Sequence, residues 1–425
     1  MRSALLVLAL LLLAAPARAF VVSEDPFEGN SFTVGGAVRS YNLVLRGGPL
    51  ENPLAPKDYN PASLSIVAVR PKLELKRAKF DFTVHDELVS TASTLPTALV
   101  GGALSIGQGA ETPSWLPLQW TAVDRASYQL RDRVDWLYVG YTLGDFSLEV
   151  GRQPVSIGRG QIWTPEDLLA PFSPLQINTE YKPGVDAARV DWTISDRATL
   201  LVVGSLGARN SGHDFQAKKD GSAALTRFEL SLDKLRLGAL AGLVRGDAVG
   251  GIDLFVDLGH KSDLHGSGTV TYVPDRSRRR YGRAAFNRAV LGTTTQPAKK
   301  LLLTAEMYFN GSGAPRASDY LSEFSSPRFA VGEEYNVGRL YAGVAADWEV
   351  HPLLHALASA IVNLEDPSTL IAPELDYNVA QNALLVAGAF IPVGRSARYT
   401  GFSPTPRSEF GLYPEMYHLD AKLYF

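Results

Sequence analysis

Tyr417-His418-Leu419-Asp420-Ala421-Lys422-Leu423-Tyr424-Phe425 decides the fold. Tyr417, Leu419, Ala421, Leu423 and Phe425 fall on one face, and His418, Asp420, Lys422 and Tyr424 on the other. Side chains of a strand point alternately to its two faces, so this stretch reads as a strand with one apolar and one polar side. The same period of two recurs upstream. Leu340, Ala342, Val344, Ala346, Trp348 and Val350 oppose Tyr341, Asp347 and Glu349, and Phe228, Leu230 and Leu232 oppose Arg227, Glu229 and Ser231. Between Val69 and Leu88 the phase changes, from Val69, Leu73 and Leu75 to Phe80, Phe82 and Val84. A turn at Lys76-Arg77-Ala78-Lys79 accounts for the switch, because a one-residue slip would otherwise put charges on the apolar face.

Followed along the chain, this pattern predicts 18 strands, near 31–45, 66–75, 80–90, 127–142, 146–155, 184–194, 198–206, 224–232, 235–246, 251–259, 264–273, 281–291, 301–311, 338–349, 354–365, 369–379, 383–393 and 415–425. Every second connection is tight: 76–79, 144–145, 195–197, 233–234, 261–263, 292–300, 351–353 and 380–382. The intervening ones are mostly long: 46–65, 91–126, 156–183, 207–223, 312–337 and 394–414, with shorter exceptions at 247–250, 274–280 and 366–368. A soluble sandwich has no reason to segregate loop length by side. An even strand count with short turns at one end and long loops at the other is the pattern of a bacterial outer-membrane barrel. The expected fold class is therefore all-β: one antiparallel transmembrane β-barrel of about 18 strands, with short periplasmic turns and long extracellular loops.

Composition agrees once the barrel is assumed. The 425 residues carry 41 Lys+Arg against 44 Asp+Glu, a net charge of -3, 46% hydrophobic residues and no cysteine. Without a thiol there is no disulfide framework, thiolate zinc site, iron–sulfur cluster or cysteine nucleophile. The charge balance offers no basic face for nucleic acid. The mean hydropathy of -0.01 is what lipid-facing and water-facing sides average to on every strand. Met1 to Ala19 reads as a cleavable secretory leader: Arg2, the apolar run Ala4–Ala15, Pro16, and the small residues Ala17 and Ala19 of an A-x-A cleavage site. The expected organisation is a signal peptide at 1–19 and one barrel at 20–425.

Three stretches carry a resemblance. The segment Tyr417–Phe425, with its alternating Tyr417, Leu419, Ala421, Leu423 and Phe425, resembles the C-terminal signal by which outer-membrane barrels are recognised by their insertion machinery. Gly151-Arg152-Gln153-Pro154-Val155-Ser156-Ile157-Gly158-Arg159-Gly160, then Trp163, Pro165, Asp167-Leu168, Pro171-Phe172-Ser173-Pro174 and Tyr181-Lys182-Pro183-Gly184-Val185-Asp186, resemble the central signature of uncharacterised porin-like barrels of Gram-negative bacteria. Met307–Gly311, His351–Leu353 and Asn363–Ser368 look similar too, so the likeness covers most of the chain from residue 20. That family commonly has Trp at the position of Ile157 and Arg at that of Lys182. The Gly-Arg-Gln strand end leading into a Gly- and Arg-bearing loop is similar, more distantly, to the 18-stranded alginate-export barrels.

The connection 156–183 holds charges of both signs, braced by Pro165, Pro171, Pro174 and Pro183, which suits a constriction folded into the lumen. Arg152, Arg159, Glu166, Asp167, Glu180, Lys182 and Asp186 are the candidate constriction residues. The expected lumen face presents Arg70, Lys72, Arg189, Arg227 and Lys422 against Glu74, Asp81, Glu149, Asp191, Glu229, Glu306, Asp347, Glu349 and Asp420. That is a mildly cation-leaning set, mostly arranged as cross-strand ion pairs. Trp136, Trp192 and Trp348 fit interface girdles best. His351 with His355 and His260 with His265 read as turn and strand histidines rather than metal pairs, since a strand does not bring i and i+4 together. No G-x-S-x-G elbow is present, and Gly246–Gly251 lacks the lysine of a phosphate loop. No enzyme activity, metal or cofactor is expected.

The expected function is passive diffusion of small hydrophilic solutes or ions through the outer membrane, reached by secretion across the inner membrane. The expected partners are outer-membrane lipid and lipopolysaccharide, the barrel-insertion machinery and the solutes themselves, and no nucleic acid; the oligomeric state stays open. Two alternatives remain beside it: an exporter of anionic polysaccharide, and a receptor or structural barrel plugged by 91–126 and 156–183, with the apolar patch Leu95–Ile106 at its mouth.

Overall fold

Residues 20–25, 29–47, 60–95, 112–174, 176, 179–208, 218–400 and 403–425 are described by the structure, a computed structural model. The leader, with Ala17 and Ala19, and most of the 95–106 patch lie outside these residues. The strands are β1 (Phe20–Asp25), β2 (Asn30–Arg46), β3 (Ala62–Arg77), β4 (Phe80–Ser93), β5 (Gln119–Arg125), β6 (Tyr128–Leu143), β7 (Phe146–Gln153), β8 (Val185–Ser195), β9 (Ala198–Leu206), β10 (Ala223–Leu232) and β11 (Leu235–Val244). They continue as β12 (Asp247–Gly259), β13 (Ser262–Tyr272), β14 (Ala285–Ala298), β15 (Leu301–Asn310), β16 (Leu340–His351), β17 (Leu354–Asn363), β18 (Ser368–Ala380), β19 (Ala383–Val393), β20 (Arg398–Thr400), β21 (Ser403–Thr405) and β22 (Glu415–Tyr424).

Eighteen of these, β2 to β4, β6 to β19 and β22, pair antiparallel with their neighbours, and β22 closes the ring on β2 from Ala37↔Tyr424 to Arg46↔Glu415. Closure leaves no open edge, which is what a spanning sheet requires where water cannot satisfy backbone groups. Each of the 18 expected strands corresponds to one of them. Apolar side chains face outward: Val139, Val202, Ile252, Val270, Leu291, Val344, Leu375 and Leu419 are exposed near mid-strand. Among the described residues no helix is long and apolar enough to cross a membrane, which says nothing of strands.

The differences from expectation have local causes. Gly250 and Gly251 do not break a strand; the turn is Arg245-Gly246, both at positive φ, and β12 starts at Asp247. Strand β14 runs on to Ala298, so the turn is Lys299-Lys300. Strand β5, inside the expected 91–126 loop, pairs with the upper part of β6, where β7 does not reach. Strand β1 pairs with the lower part of β2, below the end of β22. The 394–414 connection holds the β20–β21 hairpin, and 311–339 holds two short helices at Tyr320–Phe324 and Pro327–Ala330.

Candidate functional site

The inward faces are polar at mid-barrel, and their charges pair across strands, as Arg70 does with Asp135, and also along one strand, as Arg189 does with Asp191 and Arg227 with Glu229. Arg70 bonds Asp135 at 2.7 Å and Glu87 at 3.1 Å, Arg189 bonds Asp191 at 2.6 Å, and Arg227 bonds Glu229 at 2.6 Å and Asp253 at 2.8 Å. Arg39, which the sequence reading omits, is buried on β2 directly opposite Lys422. Trp136 is a correction. A bulge at His85/Asp86 changes the register, and Trp136 stacks inside the barrel on His85 (centroids 4.2 Å apart) instead of joining an outer girdle. Trp192 and Trp348 do lie on the outer face, exposed, toward the turn end. His265 lies between Asp263 (2.6 Å) and Glu306 (2.9 Å), and His355 beside Asp347 (2.9 Å).

The β7–β8 connection runs across this interior. On one side Val155, Ile157, Leu168, Leu169 and Ala170 pack on the inward residues Val185, Ala187, Val203, Leu225, Leu240, Val244 and Val249 of β8 to β12. On another, Gln161, Ile162 and Trp163 donate their backbone N–H groups to the carboxylate of Glu306 on β15, at 2.7, 3.1 and 3.0 Å. The Trp163 ring stacks on Tyr308 with centroids 5.3 Å apart, and its Nε1 donates to Asn336 Oδ1 at 2.9 Å. Two glycines permit this seat. A Cβ on Gly343 would stand 2.6 Å from the Trp163 ring, and one on Gly160 would stand 1.7 Å from the Trp163 carbonyl. The connection returns by a third wall: Trp136 Nε1 donates to the Lys182 carbonyl at 2.9 Å, Lys72 Nζ to the Tyr181 hydroxyl at 2.5 Å, and Tyr424 to Glu180 at 3.0 Å.

The seven candidates divide by what they touch. Arg152 and Asp186 pair across β7 and β8 at 2.7 Å and hold the 115–118 backbone: Asp186 accepts from the N–H groups of Trp115 and Leu116, and Arg152 donates to the Leu116 carbonyl. Asp167 and Lys182 form a buried ion pair that staples the connection to itself. Arg159 reaches the wall, bonding Glu229 and, at 3.2 Å, Asp253. Glu180 lies 3.8 Å from Arg39 on β2. Glu166 is fully buried, and neither of its carboxyl oxygens meets a donor among the described residues. Burial first, and then the Asp253 carboxylate, push its carboxyl up to about 8, so at neutral pH it keeps its proton.

Above this level the long connections pack over the lumen wall. Glu409 accepts from Tyr341 (2.5 Å), Asn363 (2.8 Å), Val337 N (3.1 Å) and Asn336 (3.3 Å). Burial pushes its carboxyl up to about 7 against those bonds. Glu333 lies among Arg328, Arg245 and Arg288 at 2.6, 3.1 and 3.3 Å, and these arginines hold its carboxyl down at about 2 despite its burial. No group of three or more metal-ligating side chains occurs among the described residues.

A closed 18-stranded barrel whose interior is crossed by one connection can be compared with solved structures. Acinetobacter baumannii OccAB1 has a TM-score of 0.54 at 11% identity, covering 92% of this chain and 96% of that one. The fold is that of the Occ/OprD outer-membrane porins. Pseudomonas aeruginosa OpdK, solved with vanillate, has a TM-score of 0.53 at 10% identity and covers 92% and 98%. Pseudomonas aeruginosa OccK2 (OpdF), solved in complex with glucuronate, has a TM-score of 0.54 at 9% identity and covers 96% and 99%. No family model matches the chain, and no curated protein matches it. The likeness to solved structures is one of fold, and it is to porin barrels.

Proposed function

We propose that this chain is an outer-membrane channel for passive diffusion of small hydrophilic solutes, with the 156–183 connection as its constriction. The observation that carries this reading is the path of that connection, which lies against three inward walls of a closed barrel and brings Arg159, Glu166 and Glu180 to mid-height. Arg159 and Glu180 present charge to the lumen there. Arg152 with Asp186 holds the neighbouring Trp115–Leu116 backbone, and Asp167 with Lys182 staples the connection to itself. Mixed charges around a narrow aqueous path select solutes by size and field. The vanillate and glucuronate named with two of the similar barrels are carboxylates, which supports small organic acids as part of the cargo. The similar barrels are non-enzymatic channels, and neither the polysaccharide exporter nor the plugged receptor is favoured by them.

In this reading the leader at 1–19 directs the chain across the inner membrane, and the face of Tyr417, Leu419, Ala421, Leu423 and Phe425 is read by the insertion machinery. Outer-membrane lipid and lipopolysaccharide then cover the outward apolar side chains. Planar-bilayer recording of the folded chain tests it. Steady ohmic current that rises on Glu306→Ala is the expected result. Silence supports a plugged barrel, and block by a uronic-acid polymer supports the exporter.

A further inference from the structure

A second charged site lies at the long-loop end, away from the 156–183 connection. The segment Arg276-Ser277-Arg278-Arg279-Arg280-Tyr281-Gly282-Arg283 joins β13 to β14, and three of its arginines share one cleft. Arg278, Arg280 and Arg283 line one small open cleft with Arg328, Val273, Phe286 and Ser312. Val273 continues the inward register of the buried Thr269 and Thr271, and Phe286 that of the buried Arg288 and Val290, so the cleft opens inside the rim and not toward lipid.

Four of the seven lining residues are arginines and none is acidic. The carboxylates that hold these arginines stand behind the lining. Asp247 pairs with Arg278 and Arg328, Glu333 with Arg328, and Glu323 with Arg280. The exposed Asp275 caps the turn at Ser277. Arg283 differs from the other three: it donates to the Gly311 carbonyl and lies 5.5 Å from the Tyr281 ring, and no carboxylate among the described residues pairs with it. The floor is apolar, with the Phe286 ring flanked by Arg328 at 4.8 Å and Arg288 at 5.7 Å.

We propose that this cleft is a binding site for soluble inorganic phosphate at the outer mouth of the barrel. One bidentate arginine satisfies the two oxygens of a carboxylate. Several guanidinium groups around one cleft suit a group with three terminal oxygens and nearly two charges. The position inside the rim selects a soluble ligand over a lipid headgroup. Binding here does not require conduction, so an empty cleft and a silent channel are separate outcomes.

The test is titration of the folded full chain in detergent, at low ionic strength, with inorganic phosphate and with acetate as control. Saturable phosphate binding is expected, with acetate weaker. Arg283→Gln leaves no carboxylate orphaned, and it is expected to weaken binding by about tenfold or more, the size of one charge-assisted hydrogen bond. Arg283→Lys is expected to restore part of it, and Arg280→Gln/Arg283→Gln to abolish it, with heat-shifted gel mobility confirming that each variant is folded. Unchanged binding in folded Arg283→Gln, or binding lost in Arg159→Gln instead, overturns the site. Acetate binding as tightly as phosphate overturns the ligand class, and displacement of phosphate by dispersed lipid A overturns the soluble source.

Discussion

Two buried carboxylates lie where the same connection meets two walls, and their surroundings are opposite. Glu306 belongs to the wall and accepts three backbone N–H groups from Gln161, Ile162 and Trp163, with His265 on its other side. Glu166 belongs to the connection and is buried near Asp253 without a single donor. A carboxylate with a full set of donors is stable as an ion, whereas one without donors survives burial by keeping its proton. The first anchor is built from three backbone donors on one carboxylate. The second is a latch that titrates.

The largest break in this comparison is Glu306→Ala. It removes three charge-assisted hydrogen bonds, each worth roughly 1.5–3 kcal/mol, and should release the Gln161–Trp163 segment. Limited proteolysis within 156–183 and larger, noisier single-channel current would register it. Glu306→Gln, which keeps acceptor capacity without charge, should fall between the two. Next is Trp163→Ala, expected to weaken docking by about 3–5 kcal/mol through the lost stacking and the cavity left behind, again read by protease access.

A graded effect should come from pH. With its docked pKa raised above the ordinary value, Glu166 favours the docked state most at pH below the usual glutamate range, and this support is lost as pH rises through about 8. Channel opening should therefore increase between pH 5 and 9, and Glu166→Gln should flatten that rise. Glu409, pushed up to about 7, accounts for any part that remains. If Glu166→Gln leaves the profile unchanged, the latch assignment is wrong. The smallest change is Trp136→Phe, which deletes the bond to the Lys182 carbonyl and should shift docking by about 1 kcal/mol, measured as a slight increase in proteolysis near Lys182.

The barrel was legible because each spanning strand repeats one signal, an apolar residue at every second position, and each of the 18 expected strands has its counterpart. The same signal fails in the upper part of the barrel. There the inward residues Leu43, Leu45, Leu64, Leu370 and Met416 are apolar as well, because the connections cover them, and hydrophobicity no longer marks which face is out. Strand β5 was missed for a related reason: it is largely exposed and lacks a buried face to alternate against. Arg159 and Glu166 stood out from their loop as charges between prolines. Nothing in the sequence joined them to Glu229 and Asp253, or Trp163 to Glu306, because those contacts bridge about 70 to 145 positions and leave no local period.

The seam between β2 and β22 also bears on how such a barrel assembles. Gly36 and Phe425 exchange backbone hydrogen bonds at 2.6 and 3.0 Å, joining the first and the last strand of the ring. Neighbouring hairpins can zip up locally, but this pairing has to wait until everything between is in place, and it carries the largest loop-closure entropy in the molecule. Ring closure thus carries the largest entropic cost, and until it occurs the edges of β2 and β22 have no partner in the barrel.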